Sequence, residues 1–200
     1  MLWGKAIGAG GTGGGVSMFG PRGVFGGGSP GNVIDYITIA TAGNAFDFGD
    51  LTVGRYGLAA TSDGSRGVFG GGFNNRTTIE YITIATSSNT AAFGDLTIGK
   101  DVLAATSNGP RGVFGGGTAN GDRIDYITIA TLSNAFYFGN LTVARSGLAA
   151  TSNGSRGVFG GGNGDTNVID YIAIATLSNA IDFGNLTVGR EGLAATSDGS

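Results

Sequence analysis

Cysteine and histidine are both absent from these 200 residues. Without thiols there is no disulfide framework and no thiolate metal site, and the redox state of the compartment leaves no mark. Without imidazole the commonest zinc ligand, the commonest general base and the Ser-His and Cys-His nucleophile pairs are excluded too. Charged residues make up only 12% of the chain, the net charge is −3 and no basic run occurs, so nothing suits a phosphate backbone. No stretch approaches the roughly 20 apolar residues of a membrane-spanning helix. The opening Met1–Gly10 lacks the basic start and apolar centre of a secretion signal. These absences lead to an expectation of no catalysis, no cofactor, no metal, no nucleic-acid partner and no membrane insertion.

Glycine is what the chain has in excess, at 42 of 200 residues, about three times the roughly 7% of average usage. It falls at fixed offsets beside Ile, Val and Phe, as punctuation between strands rather than in a linker pattern. The segment Arg-Gly-Val-Phe-Gly-Gly-Gly begins at Arg22, Arg66, Arg111 and Arg156, at intervals of 44, 45 and 45 residues, and most of the intervening sequence repeats with it. The chain therefore divides into a Gly-rich segment 1–10 and an array over 11–200, with units 11–54, 55–99, 100–144 and 145–189 and an extra first strand at 190–200.

Each unit reads as four strands. The joint between the first two carries Asp63-Gly64, Asn108-Gly109, Asn153-Gly154 and Asp198-Gly199, the pair favoured by a type I′ hairpin turn. The third strand has Ile34, Tyr36 and Thr38 on one face and Asp35, Ile37 and Ile39 on the other. Apolar residues on both faces suit a sheet sandwiched between neighbours. After a turn at Gly43-Asn44 and its equivalents, the fourth strand carries Phe48, Phe93, Phe138 and Phe183, each 12 residues beyond its Tyr. A period in the 40s built this way is the pattern of a β-propeller blade, and almost no helix is expected.

These residues resemble the kelch repeat. A cation opens the first strand (Arg55, Lys100, Arg145, Arg190), an aromatic-Gly-Gly closes the second (Phe69-Gly70-Gly71), a Tyr lies in the third and an aromatic in the fourth. The resemblance implies an all-β propeller of four-stranded antiparallel blades, about four per chain. Two departures stand out: Phe replaces the usual Trp, and its longer distance from the Tyr implies an extended hairpin between the third and fourth strands. The wording IDYITIAT…FGDLTV…GLAATS…RGVFGGG is also similar to repeat proteins of marine bacteriophages, particularly those of cyanobacteria, which implies a virion or tail-fibre component. Localisation would then be the virion, or the extracellular surface after lysis, and the cytoplasm if the protein is not viral.

The array holds four units and a quarter. A terminal strand in a propeller often completes the blade begun at the other terminus, which would pair Leu193–Ser197 with the strand containing Val24 and Phe25. Gly8–Gly15 is then either a degenerate first strand or a flexible anchor. The chain either closes as a four-bladed ring, or completes a larger one as a homo-oligomer or within a longer polypeptide.

Chemical motifs are few. Gly8-x-Gly10-x-x-Gly13 matches a dinucleotide fingerprint but lacks the strand and helix that would flank it. Asp122 and Asp165 are loop acids that keep open the alternative of a glycan-degrading enzyme on this scaffold. The repeated Arg22 and Arg55 columns and the acids Asp35, Glu80, Asp125 and Asp170 are expected to pair structurally within or between blades.

Variation between copies is concentrated after the second strand. The loop reads Ser-Pro-Gly-Asn-Val from Ser29, Phe-Asn-Asn-Arg-Thr-Thr from Phe73, Thr-Ala-Asn-Gly-Asp-Arg from Thr118 and Asn-Gly-Asp-Thr-Asn-Val from Asn163. The residue after the first-strand cation changes as well, and both positions fall on one face of an up-and-down blade. Free drift of exposed loops is the plain explanation. The functional one is a recognition face of Tyr56, Phe73, Asn74, Asn75, Arg76, Asp101, Asn120, Asp122, Arg123, Asn163, Asp165, Asn167 and Glu191, suited to hydroxyl-rich glycans. The expected partner is a host-surface polysaccharide or another virion protein, and the alternative is an intracellular interaction scaffold of the kelch kind. A second variable set, Phe46-Asp47, Ala91-Ala92, Phe136-Tyr137 and Ile181-Asp182, falls near the opposite face and could dock on a larger assembly.

Overall fold

A computed structural model describes residues 21–198 apart from Pro30, Asn75 and Asp165. The segment 1–10, the Gly8–Gly13 motif, the Gly8–Gly15 stretch and Gly199 lie outside the described residues. The described chain is all β, with no helix. Fifteen strands run in order: β1 (Arg22–Gly26), β2 (Val33–Thr38), β3 (Phe46–Asp50), β4 (Ala59–Ser62), β5 (Arg66–Gly70), β6 (Thr78–Thr83), β7 (Ala91–Asp95), β8 (Ala104–Ser107), β9 (Arg111–Gly115), β10 (Arg123–Thr128), β11 (Phe136–Asn140), β12 (Ala149–Ser152), β13 (Arg156–Gly160), β14 (Val168–Ala173) and β15 (Ile181–Asn185). They form four antiparallel meanders. The first sheet holds β1 to β3, and the other three each hold four strands in sequence order.

Within a sheet the register is the same in every copy, with Arg66 opposite Thr83 and Gly70 opposite Ile79 in the second. Each outermost pair slips by one residue at the same place, between Ile79 and Glu80 in that sheet, so β7 carries a bulge. The extra residue is the repeated Phe. It is buried in the first three sheets as Phe48, Phe93 and Phe138, and the ring of Phe93 meets that of Tyr81 edge-on at 6.1 Å. The long spacing between Tyr and Phe is absorbed by the connection 39–45 and its equivalents.

The hairpin between first and second strands is present, but its turn is not type I′. That form needs positive φ at both central residues. Here Gly64 (φ 86°), Gly109 (φ 89°) and Gly154 (φ 81°) are positive, whereas Asp63, Asn108 and Asn153 are not. The Asp63 carboxylate instead accepts from the backbone N–H groups of Ser65 and Arg66, at 2.9 and 2.7 Å. Glycine at the first central position fits a type II′ turn, in which Pro110 can follow without a missing donor.

The sheets follow one another in a propeller-like order, with short inner strands side by side. A backbone ladder runs across them from sheet to sheet: Val102 N–H donates to the carbonyl of Gly57, Gly147 N–H to Val102 and Gly192 N–H to Gly147, all at 2.7 to 2.9 Å. At the other end of the inner strands, Ser107 Oγ donates to the Ser62 carbonyl and Ser152 Oγ to Ser107. Between sheets the core is made by Phe on Gly. A Cβ on Gly70 would lie 2.7 Å from the ring of Phe114, and one on Gly115 the same distance from Phe159. Only glycine lets these rings reach the neighbouring strand.

Among the described residues no hydrogen bond joins the first sheet to the fourth. Residues 190–198 form no strand, and Ser197 Oγ donates to the Ser152 carbonyl. Leu193–Ser197 therefore lies along the fourth sheet in this structure rather than on β1.

Candidate binding face

The connections that lead into the second, third and fourth sheets are held by buried ion pairs. Arg55 meets Glu80 at 2.8 Å, Lys100 meets Asp125 at 3.6 Å and Arg145 meets Asp170 at 3.0 Å, all essentially without solvent contact. The same acids accept from Thr52, Thr97 and Thr142. Lys100 is the lysine of the column, and its Nζ also donates to the Arg123 carbonyl at 2.6 Å. Burial pushes its ammonium down to about 8 against the attraction of Asp125. Burial likewise lowers the Arg145 guanidinium from its ordinary value, against the pull of Asp170. These charges hold the framework, as their repetition implied. The second cation column does the same work differently: Arg66 lies over the ring of Tyr81, 4.5 Å from its centroid, and donates to the Ile129 carbonyl of the next sheet.

Once the cations are pinned, the residue after each one is turned toward the variable loop, and the structure couples the two positions. Phe73 N–H donates to the Tyr56 carbonyl at 2.8 Å, and the two rings stack at 4.6 Å with 20° between their planes. Thr118 N–H donates to the Asp101 carbonyl at 3.0 Å, and its hydroxyl donates to the Asp101 carboxylate. Asn163 N–H donates to the Ser146 carbonyl at 2.8 Å, and its side-chain oxygen accepts from Ser146 N–H at 2.9 Å. One scaffold contact thus carries an aromatic stack, a hydroxyl–carboxylate pair and an amide pair in successive sheets. The Gly57, Val102, Gly147 and Gly192 ladder holds these pairs next to one another, so they make a continuous surface.

Of the residues expected there, Tyr56 and Phe73 are brought together and remain 41% and 44% exposed. Asn74 (φ 67°) and Asn120 (φ 46°) occupy left-handed positions in their loops and are exposed, a conformation asparagine tolerates better than most residues. Asn163, Asn167 and Glu191 are exposed, whereas Arg76, Asp101 and Asp122 are half-buried. Asn75 and Asp165 lie outside the described residues. Arg123 belongs to the framework more than to the face: its Nε donates to Thr97 Oγ1 at 2.7 Å and approaches Asp125, and its guanidinium lies 4.6 Å from the Tyr137 ring centroid. Thr118 and Ser146 stood out in sequence only as variable positions and were left off the expected face. The constant 17-residue separation of the coupled positions was the signal that could have placed them there. Among the described residues no cluster of three or more acids could hold a metal ion.

The second variable set lies at the start of the outermost strands. Phe46, Phe136, Tyr137 and Ile181 are each 45 to 62% exposed, at the end of the sheets away from the variable loops.

Fold and face together define an all-β repeat protein of stacked antiparallel sheets. No protein-family model matches the chain, and no curated protein matches it significantly.

Proposed function

We propose that this chain is a non-catalytic β-propeller of kelch-like blades, a structural or adhesive component of a phage virion or tail fibre, whose variable-loop face binds a hydroxyl-rich glycan. The observation that carries the reading is the Tyr56–Phe73 stack, two aromatic rings left open to solvent on a face otherwise made of Asn, Asp, Thr and Arg. Sugar rings present C–H groups to aromatic faces and hydroxyls to amides and carboxylates, and this face offers both kinds of group within neighbouring units. The framework charges are consumed in buried pairs, which leaves selectivity to the loops. The wording of the repeats supports the viral setting.

The test is a glycan array followed by titration of the best ligand. Phe73→Ala with Arg76→Ala should weaken binding by about tenfold or more, the equivalent of roughly 1.4 kcal/mol. Binding that is unchanged by this double substitution, or an array without any hit, would refute the reading.

A further inference from the structure

The third sheet carries an arginine–tyrosine pair that the other three sheets lack, and we infer that Arg123 and Tyr137 form a site for a carboxylate carried on a sugar-like ring, the chemistry of a uronic acid residue. Arg123 supplies the charge and Tyr137 an apolar surface. Tyr137 lies on the outermost strand, three strands across from the inner strand β8 that follows the ladder. The site is therefore separate from the variable-loop face and does not rest on what that face binds.

The register brings the pair together. Arg123 opens β10, Asp125 follows it on the same face, and Tyr137 of β11 stands opposite Asp125. The same three positions hold Val33, Asp35 and Asp47 in the first sheet, Thr78, Glu80 and Ala92 in the second, and Val168, Asp170 and Asp182 in the fourth. The arginine answers the lysine beneath it. Lys100 Nζ comes within 3.6 Å of one carboxylate oxygen of Asp125, and Arg123 Nε approaches the other at 3.3 Å while donating to Thr97 Oγ1 at 2.7 Å. These contacts fix the guanidinium plane over the Tyr137 ring, 4.6 Å from its centroid.

What the framework leaves unused is the fork of Arg123. Among the described residues neither of its Nη groups makes a hydrogen bond, and the side chain is 32% exposed beside a tyrosine that is 45% exposed. Arg66 and Arg111 also lie over tyrosine rings, but each gives an Nη to an isoleucine carbonyl of the next sheet. Two free donors at fixed spacing match the two oxygens of a carboxylate. Because Nε and the ring hold the fork in advance, a ligand spends little on ordering it. Nearby charges restrict the ligand further. Lys100 is matched by Asp125 in the interior, and Asp122 is close enough to act on the Lys100 ammonium. A singly charged carboxylate meets less repulsion from these acids than a doubly charged phosphate.

The test is a nuclear magnetic resonance titration of the isotope-labelled chain that follows the Arg123 Nε–H and Tyr137 ring signals. Methyl glucuronoside, methyl glucoside and the sulfate ester of that glucoside serve as probes with a common ring. The glucuronoside should move both signals saturably, and the neutral glucoside should move neither. Arg123→Lys keeps the charge but removes the fork, and should weaken binding about tenfold. Tyr137→Ala should weaken it as well, whereas Tyr137→Phe should preserve it. If Arg123 serves only to hold Asp125, the unsubstituted chain will show no saturable shift, and that result overturns the inference whatever the variants do. An equal response to the neutral sugar would also overturn it, as would a stronger response to the sulfate ester. So would shifts confined to Tyr56 and Phe73, which would mark the variable face alone.

Discussion

Val102 stands at a backbone position that its three counterparts, Gly57, Gly147 and Gly192, fill with glycine. All four lie in the left-handed region, at φ of 53°, 67°, 65° and 66° in the order Val102, Gly57, Gly147 and Gly192. A β-branched residue there costs about 1–2 kcal/mol in steric conflict. Glycine removes that conflict but returns about 0.4–1 kcal/mol through the entropy of the unfolded chain. Val102 is 40% exposed and gives up little packing. Val102→Gly should therefore stabilise the protein by about 1 kcal/mol, read as a higher urea midpoint at unchanged slope; a lower midpoint would show that the ladder depends on the valine side chain. Lys100 gives a second prediction at this scale. Its ammonium titrates near 8 in the folded protein against an ordinary 10.5. Below about 8 both states are protonated, and the folded state bears the full cost of holding the ion in the interior. As pH rises from about 8 to about 10.5 the folded state loses its proton first, so the unfolded state binds more protons and stability climbs with pH. The urea midpoint should rise between pH 7.5 and 10, and the rise should vanish in Lys100→Arg, whose guanidinium does not titrate there.

The strands were legible because each unit repeats its period of two and its glycine punctuation. The hairpin turn was less so. Asn108-Gly109 has the composition of a type I′ turn, but Pro110 has no N–H to close a turn centred on that pair, and the Asp63 side chain takes the donors itself. Proline before the repeated arginine in two copies, Pro21 and Pro110, was the clue, and dipeptide preference outweighed it. Sheet-to-sheet packing was invisible in the sequence, since a glycine in Arg-Gly-Val-Phe-Gly-Gly-Gly does not announce which ring it accommodates. That packing predicts different outcomes for one substitution in equivalent strands. In Gly115→Ala the new methyl falls 2.7 Å from a ring atom of Phe159, which is fully buried and has no room to retreat. Overpacking of this kind costs about 1–3 kcal/mol. In Gly160→Ala the nearest atom is a side-chain carbon of Ile169 at 3.8 Å, ordinary contact. The dilute chain should change by no more than about 0.5 kcal/mol. Thermal melts of the two variants at low concentration check this, and equal losses would mean that the rings do not set the spacing of the sheets.

Burial grades along the whole molecule in a way that shows what stabilises it. Ile39 is 65% exposed, Ile84 is half-buried, and Ile129 and Ile174 are fully buried at the same position of successive sheets. The outer Phe runs the other way, buried in the first three sheets and 54% exposed as Phe183. Each sheet is thus completed by the sheets on either side, and stability is a sum of unit and interface contributions, as in other repeat arrays. Part of the candidate face was legible for the same reason: with verbatim copies the loops that differ stand out, although only the structure shows that their first residues are coupled to Tyr56, Asp101 and Ser146. Removal of residues 100–144 provides the strictest test of additivity. The junction of Gly99 with Arg145 restores the repeat, places Thr97 against Asp170 as it was against Asp125, and returns Arg66 to an isoleucine carbonyl, that of Ile174 in place of Ile129. The shortened chain should keep a β-type far-ultraviolet spectrum and a single cooperative melt at a lower temperature. Loss of the spectrum would mean that the four sheets fold as one indivisible body, and the contacts between neighbours would then not suffice to account for the fold.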